Sequence, residues 1–485
     1  MFLKHPAWAW LKKHNKKILP ETPPELQRRF DEGNLFETYA EQLFPDGVRL
    51  GFSNYNEYLS LPERTLQELQ NGTGTIFQGR FEADNLTCII DVLQRVEGDT
   101  YDLFEIKAST KAKEEHFHDL AFQTIVLEGS GLSIRNIAVV HVNNEYVRDG
   151  EIDIKELTGV SDITEEVREK IEVTKENIEK ALKTIALPSM PDPSPKHVRL
   201  SAFKEWMEIY SILNGAPAAH SIYSLPLINA KRVALFEELG VLDIKDIPEN
   251  FELTDPQQRY VDAVQADEVS IDTDAIKDFV ENLEYPLHFL DYETFSSIIP
   301  PFDGLKPYQQ VPFQYSLHIQ NEPGGELIHK EYLHTENSNP IPSLLENLKN
   351  DMEGKGSVLV WYEVFEKGRN KEMAEFVPEY KDFLEDVNER VVDLMLPFKK
   401  GEYVHKDFFG SASIKNVLPV LVPELSYKEL DIQNGEMALR LWTEAALEGK
   451  HSDEVKEKIM SDLIKYCELD TLAMVKILEV LEKVD

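Results

Sequence analysis

Residues 287–295 read LHFLDYETF. Leu287, Phe289 and Leu290 give the stretch the apolar character of a core strand. In a strand, residues two apart share a face, so Asp291 and Glu293 present two carboxylates together while Tyr292 points away. Two like charges held that close are costly unless a cation joins them. A pair of divalent ions roughly 4 Å apart, clamping an attacking water and a leaving oxygen, is the usual chemical use of such a set. The pattern by itself is common. With 88 acidic residues in 485, acid-x-acid pairs arise by chance about 16 times. The apolar strand before it and Thr294-Phe295 after it are what single this pair out.

Around this strand, residues 284–485 alternate strands and helices. VPFQYSLHIQ (311–320) and LIHKEYLHT (327–335) form a hairpin across Glu322-Pro323-Gly324-Gly325. SVLVWY (357–362) runs as a strand into a helix through FEKGRNKEMAEF (365–376), and RVVDLM (390–395) is a further short strand. A long helix closes the region over 453–484. Tyr466 and Asp470 are four apart and share a face of that helix. A phenol beside a metal-binding carboxylate orients or deprotonates an attacking water.

Together these pieces resemble the DnaQ-like, RNase H-fold exonucleases of the DEDD, tyrosine type. The family's D-x-E-T on its first strand is matched by Asp291-Tyr292-Glu293-Thr294, and its closing Y-x-x-x-D by Tyr466 to Asp470. The histidine variant would need histidine at position 465, where lysine stands. The family's middle motif, an N-x-x-F-D-like turn into a helix, aligns with 360–366 and puts Glu366 where aspartate is expected, with Asp393 as the other candidate. The resemblance implies that Asp291, Glu293, Glu366 and Asp470 bind Mg²⁺ or Mn²⁺ beside a catalytic Tyr466. The wider sequence is similar to a bacterial family of unknown function. That family is marked by FLDYETFSSIIPPFDGLKPYQQVPFQYSLHI (289–319), WYEVFEKGRNK (361–371) and GSASIKNVLP (410–419).

A second constellation lies in residues 1–160. A helix is expected over 33–44, with Leu35, Phe36, Tyr39, Ala40, Leu43 and Phe44 as its apolar stripe. LTCIIDVLQRV (86–96) and TYDLFEIKAS (100–109) then pair as a hairpin, followed by a helix near 119–128 and the strand IRNIAVVHV (134–142). Glu105 and Lys107 share a strand face and Asp91 sits on the neighbouring strand, so the three can converge. Carboxylate oxygens suit Mg²⁺ or Mn²⁺, and Lys107 would position water and offset charge on a phosphate. This arrangement resembles the RecB-like members of the PD-(D/E)xK nucleases. Gly33-x-x-x-Glu37 matches their first helix, Asp91 and Glu105-x-Lys107 their core, and Gln123 their glutamine motif; the tyrosine four residues later is Leu127 here. Many relatives carry four cysteines around an iron–sulfur cluster. Here the corresponding regions, near His5-Pro6 and across 191–206, hold none, which implies no cluster and packing in its place.

Residues 161–283 read as a mostly helical, charged connector, broken by LPSMPDPSPKH (187–197). The segment 224–248 resembles helical hairpins that grip DNA backbones but lacks their glycine-flanked turn, so a plain connector is expected there. Lys399, Lys400, Lys406 and Lys415 are candidate phosphate contacts, and Phe408 and Phe409 candidate platforms for unpaired bases. The fold expected is α/β: a restriction-endonuclease-like domain (1–160), the connector (161–283) and an RNase H-like domain (284–485).

The formal net charge of −37 repels a phosphate backbone on average, so any nucleic-acid contact must be made by local basic groups. Two cysteines exclude a disulfide framework and fit a reducing cytoplasm. The lysine-rich opening MFLKHPAWAWLKKHNKK lacks the features of a signal peptide, and no stretch has the length of a membrane span. The expectation is a cytoplasmic, metal-dependent nuclease with DNA favoured over RNA and no membrane partner. The alternatives are an RNA exonuclease, or a nucleic-acid-binding scaffold whose sites have decayed.

Overall fold

The computed structural model describes residues 1–352 and 354–484. It is a mixed α/β structure with two compact units: Met1–Leu213 with Ser297–Gln309, and Asn214–Ser296 with Gln310–Asp485. The stretch expected as a connector is divided between them. Its helix Thr164–Ile185 belongs to the first unit, where Val167 is buried in a core cluster with Leu120, Leu127 and Ile137. Segment 297–309 joins the same unit because Ile298 is buried beside Phe36 and Val140. Arg148 Nη1 also donates to the carbonyls of Pro300 (2.8 Å) and Pro301 (2.7 Å).

The first unit is built on six strands, β1 (Val48–Arg49), β2 (Thr75–Ala83), β3 (Leu86–Glu97), β4 (Thr100–Lys107), β5 (Ser133–Val142) and β6 (Thr158–Asp162), in that order across one sheet. β2, β3 and β4 are antiparallel neighbours, and β4 and β5 are parallel, joined through the helix Glu114–Gly129. The sheet is apolar on both faces. One core holds Ile90, Leu103 and Val139 with the helices Glu114–Gly129 and Thr164–Ile185; the other holds Val92, Ile106 and Val140 with Phe36 of helix Pro24–Ala40. The expected hairpin is β3–β4. Helix Pro24–Ala40 starts before the expected 33–44 and is followed by a 3-10 turn, Glu41–Leu43. Leu35, expected in its apolar stripe, is instead 50 % exposed, because the helix buries the face carrying Phe36 and Ala40.

The second unit carries β7 (Ser270–Ile271), β8 (Leu287–Phe295), β9 (Val311–Gln320), β10 (Leu327–Leu333), β11 (Val358–Val360), β12 (Val391–Asp393) and β13 (Tyr403–Val404). Five of these form one sheet in the order β10-β9-β8-β11-β12; β10, β9 and β8 are antiparallel, while β8, β11 and β12 are parallel. β8 is the central strand and is covered on both faces. That is why it reads as a largely apolar run, broken by His288, Asp291, Glu293 and Thr294. The helix Asp453–Leu481 lies across β8 and β9, burying Leu463, Cys467, Met474 and Leu478. Trp442 stacks on Phe295 and Phe313 at centroid distances of 4.9 and 4.3 Å, fixing the helix Gly435–Trp442 beside β8. Among the described residues, no helix is long and apolar enough to cross a membrane.

Candidate metal centre

Two elements bring three carboxylates to one point of the second unit. Asp291 and Glu293 come from β8, and Asp470 from the helix Asp453–Leu481; their ligand oxygens all lie within 4.8 Å of one another. At such a separation two unit charges repel by roughly 3 kcal/mol at an effective dielectric near 20. Glu366 enters from the first turn of helix Glu363–Phe376; it is 2 % exposed, and its Oε2 has no hydrogen-bond partner. Burial, then Asp291 and Glu293, hold the Glu366 carboxyl well above the usual carboxylate range. Burial and Asp470 do the same to Asp291, and burial, Asp291 and Asp470 to Glu293. Burial pushes Asp470 up to about 6, against the pull of Tyr427 and Lys415. Four acids destabilised together, one with an orphaned oxygen, form a set that a divalent cation would satisfy.

Asp393, the other candidate for the fourth ligand, is buried but already used. Its Oδ1 accepts the backbone N–H groups of Tyr362 and Met395, both at 3.0 Å. Tyr362 sits at φ +87°, so Asp393 secures the strained residue from which the Glu366 helix starts.

Tyr466 lies over the same point. Its ring packs beside Tyr427 at 6.0 Å, and the Lys415 ammonium stands 5.7 Å from the centroid of one ring and 5.5 Å from the other. Lys415 Nζ also donates to the Gln433 carbonyl at 3.2 Å and approaches the Tyr466 hydroxyl at 3.5 Å. Burial, and then Asp470, Glu293 and Asp291, keep the Tyr466 phenol protonated far above its ordinary range. Lys415, expected as a nucleic-acid contact, is thus placed beside the carboxylates.

Tyr427 is the residue that sequence reasoning missed: its hydroxyl donates to Asp470 Oδ1 at 2.6 Å. No spacing rule links it to Asp470, 43 positions away. Cys467 was not singled out either, although its Sγ lies 3.9 Å from Asp291 Oδ2; its place one residue after Tyr466 was the available signal. The remaining basic and aromatic candidates lie elsewhere. Lys406 is paired with Asp267, and Lys400 stands 3.8 Å from Glu402. Lys399 sits over the Tyr362 ring. Phe408 is 3 % exposed and packs against Phe398 and Tyr403, which removes it as a platform for bases; Phe409 stacks on His220 at 5.4 Å.

In the first unit, Glu37, Asp91, Glu105, Lys107 and Gln123 are gathered into one network. Gln78, at φ +55°, donates to Glu37 Oε1 (2.7 Å) and Asp91 Oδ1 (3.2 Å). Asp91 Oδ2 accepts the Ile106 N–H at 2.8 Å, and Glu105 accepts from Lys107 and, at 2.9 Å, from Gln123 Nε2. Glu37 is also 3.3 Å from Arg49. Burial, then Glu105, raises Asp91 well above its usual range, and burial likewise raises Glu105. Burial opposes the charge on Lys107, yet Glu105, Asp91 and Asp119 outweigh it and hold the ammonium protonated. The acids here do not bring three ligand atoms as close together as those of the second unit. A cleft of about 850 Å³ opens beside Lys107, lined among others by Phe30, His116, Asp119 and Phe122.

The regions where the resemblance places cluster cysteines do meet. The His5 ring stacks on Trp206 at 3.7 Å and 10°, its Nε2 bonds the Ser194 carbonyl at 3.1 Å, and its Nδ1 accepts the Ala7 N–H at 3.1 Å.

Residues 288–413 match a family described as "Domain of unknown function (DUF2779)". That match begins on β8 and takes in Asp291, Glu293, Glu366 and Asp393, stopping before Lys415 and Asp470. The chain is 27 % identical over 209 residues to "Uncharacterized protein MG366 homolog" of Mycoplasma pneumoniae, covering 39 % of this chain and 31 % of that one. It is 26 % identical over 227 residues to "Uncharacterized protein UU173" of Ureaplasma parvum, covering 42 % and 32 % respectively. The matches thus span about a third of the length of these curated relatives. No solved structure matches.

Proposed function

We propose that this protein is a metal-dependent nuclease that hydrolyses phosphodiester bonds of DNA. Its principal site is the carboxylate cluster of the second unit, acting as a 3′→5′ exonuclease-type centre. The observation that carries this reading is the convergence of Asp291, Glu293 and Asp470 within 4.8 Å beside the buried, partly unbonded Glu366. The strand order β10-β9-β8-β11-β12, with the acids on the central strand, supports an RNase H-like identity for this unit.

Mg²⁺ or Mn²⁺ held by these four residues would supply Lewis-acid stabilisation of the charge that builds on the phosphate. Tyr427 holds Asp470 in one orientation through its short hydrogen bond. Tyr466, beside the acids and 3.5 Å from Lys415 Nζ, is placed to orient the attacking water. Lys415 is the cation positioned to meet a phosphate oxygen at the rim of the acids. In the first unit, the β2–β5 arrangement with Asp91, Glu105, Lys107, Gln123 and Glu37 supports a second, RecB-like site. Its acids are already paired by protein donors, so the main activity is assigned to the second unit.

The test is cleavage of end-labelled single- and double-stranded DNA and RNA in Mg²⁺, Mn²⁺ or EDTA, by wild type, Asp291→Ala and Asp91→Ala. Metal-dependent shortening of DNA from its 3′ end, lost in Asp291→Ala, is expected. Cleavage confined to RNA would move the substrate class. Absence of cleavage under all conditions would remove the enzyme reading, and loss only in Asp91→Ala would reverse the ranking of the sites.

A further inference from the structure

Outside the acidic centre, a second group of metal-ligating side chains meets on β9, β10 and the helix Asp453–Leu481. Ligand atoms of His318, His329 and Glu468 all lie within 4.8 Å of one another. The two imidazoles are stacked at 4.4 Å, His318 is 4 % exposed, and His329 Nδ1 stands 3.8 Å from Glu468 Oε1.

Which ring nitrogens carry protons follows from counting hydrogens along the hydroxyl chain behind the pair. Four contacts are present: His318 Nδ1 to Thr471 Oγ1 (2.8 Å), Thr471 Oγ1 to Ser316 Oγ (2.7 Å), Ser316 Oγ to His329 Nε2 (2.9 Å), and Thr471 Oγ1 to the Glu468 carbonyl (3.2 Å). Each contact needs one hydrogen, and the two hydroxyls supply one each. Both imidazoles must therefore donate the other two. His318 Nδ1–H then donates to Thr471, and His329 Nε2–H to Ser316. Reversing either ring leaves one contact with no hydrogen. With both rings neutral, His318 Nε2 and His329 Nδ1 are bare lone pairs beside a carboxylate.

Two imidazole lone pairs and one carboxylate are the donor set of a borderline-soft divalent ion such as zinc. Hydroxyls fixing the non-ligating ring nitrogens are the outer contacts such sites use to set tautomer and ring orientation. We propose that His318, His329 and Glu468 form a Zn²⁺-class site, separate in chemistry from the all-oxygen centre and independent of the nuclease reading. An ion there would tie strand β10 to β9 and to the helix that carries Tyr466 and Asp470. The competing occupant of the same geometry is a proton on His329, ion-paired to Glu468.

The experiment is titration of the full chain with Co²⁺ and Zn²⁺ in millimolar Mg²⁺ near neutral pH. The readouts are the visible d–d absorption of bound Co²⁺, its displacement by Zn²⁺, and the change in Tm. Wild type and Asp291→Asn are expected to show one equivalent of nitrogen-ligated Co²⁺, displaced by Zn²⁺, with a rise in Tm. His329→Ala and Glu468→Gln, both at partly exposed positions, are expected to bind at least about tenfold more weakly. Circular dichroism establishes that they are folded. No d–d band in wild type, or equal bands in wild type and both variants, would overturn the proposal. A band lost in Asp291→Asn but kept in His329→Ala would overturn it too, by placing the ion in the acidic centre.

Discussion

Glu366 and Asp393 are both buried carboxylates, yet they carry opposite expectations. Asp393 spends its oxygen on two backbone N–H groups, whereas Glu366 keeps an oxygen without a partner and is pushed up by Asp291 and Glu293. Glu366→Gln is expected to lower metal-dependent cleavage by about a hundredfold or more. In EDTA the same change should leave Tm unchanged or raise it, because a buried carboxyl that Asp291 and Glu293 disfavour in its charged form is replaced by a neutral amide. Asp393→Ala should instead cost about 2–3 kcal/mol of stability through two unsatisfied amides, read as a lower urea midpoint. Equal effects of the two changes on both readouts would undo the assignment. D-x-E and Y-x-x-x-D were legible because strand and helix periodicity alone place those residues on common faces. Tyr427 was not, since it reaches Asp470 only through the tertiary fold.

On the scale of elements, β8 announced itself because a strand covered on both faces must be apolar nearly throughout. β2 did not: its run TIFQGRFEA is broken by Gly79, Arg80 and Glu82, and only the fold shows how Arg80 is accommodated. The Arg80 guanidinium lies 3.9 Å from the Tyr58 ring centroid and donates to Thr87 Oγ1 at 2.9 Å and to the Tyr58 carbonyl at 2.8 Å. The pairing of β8 with β11 depends on a close approach at Gly356, which has φ +80°; a Cβ there would fall 2.0 Å from the Pro286 carbonyl oxygen. Gly356→Ala is expected to destabilise by about 2 kcal/mol or more, measured as a fall in urea midpoint, with cleavage lost in parallel. The opening helix Pro6–His14 is tied down through His5, whose Nδ1 must be unprotonated to accept the Ala7 N–H. Burial, reinforced by His197 and opposed by the Ser194 carbonyl and Asp192, lowers His5 to about 4 from an ordinary 6.5. The unfolded chain therefore binds this proton more readily. The contribution is fully present above about 6.5 and is lost as pH falls towards about 4. Urea midpoints of wild type should fall over that window, and His5→Gln, which does not titrate, should show a shallower fall. Parallel profiles would show that His5 does not carry this acid sensitivity.

For the whole molecule, the charge of −37 has to be reconciled with the polyanionic substrate we propose for it. Lys406 is neutralised by Asp267, and Lys400 stands near Glu402, while Lys415 donates to the Gln433 carbonyl, lies against the rings of Tyr427 and Tyr466, and stands 3.5 Å from the Tyr466 hydroxyl. On the proposed reading, attraction to a phosphate backbone at the acidic centre would then come from divalent ions and Lys415, against an average field that repels it. A protein that neutralises Z phosphates with its own cations shows a slope of about −0.9Z in log affinity against log salt. For this chain the slope with single-stranded DNA, in Ca²⁺ to suppress cleavage, should be shallow, no steeper than about −2 or −3. Lys415→Ala should bring it about one unit closer to zero. Chelation should abolish binding at every salt concentration, because without divalent ions the clustered carboxylates face the phosphates directly. A slope as steep as that of a basic DNA-binding protein, or binding that survives EDTA, would mean that the substrate is held at some other surface. In that case the acidic centre would not be where the protein meets nucleic acid.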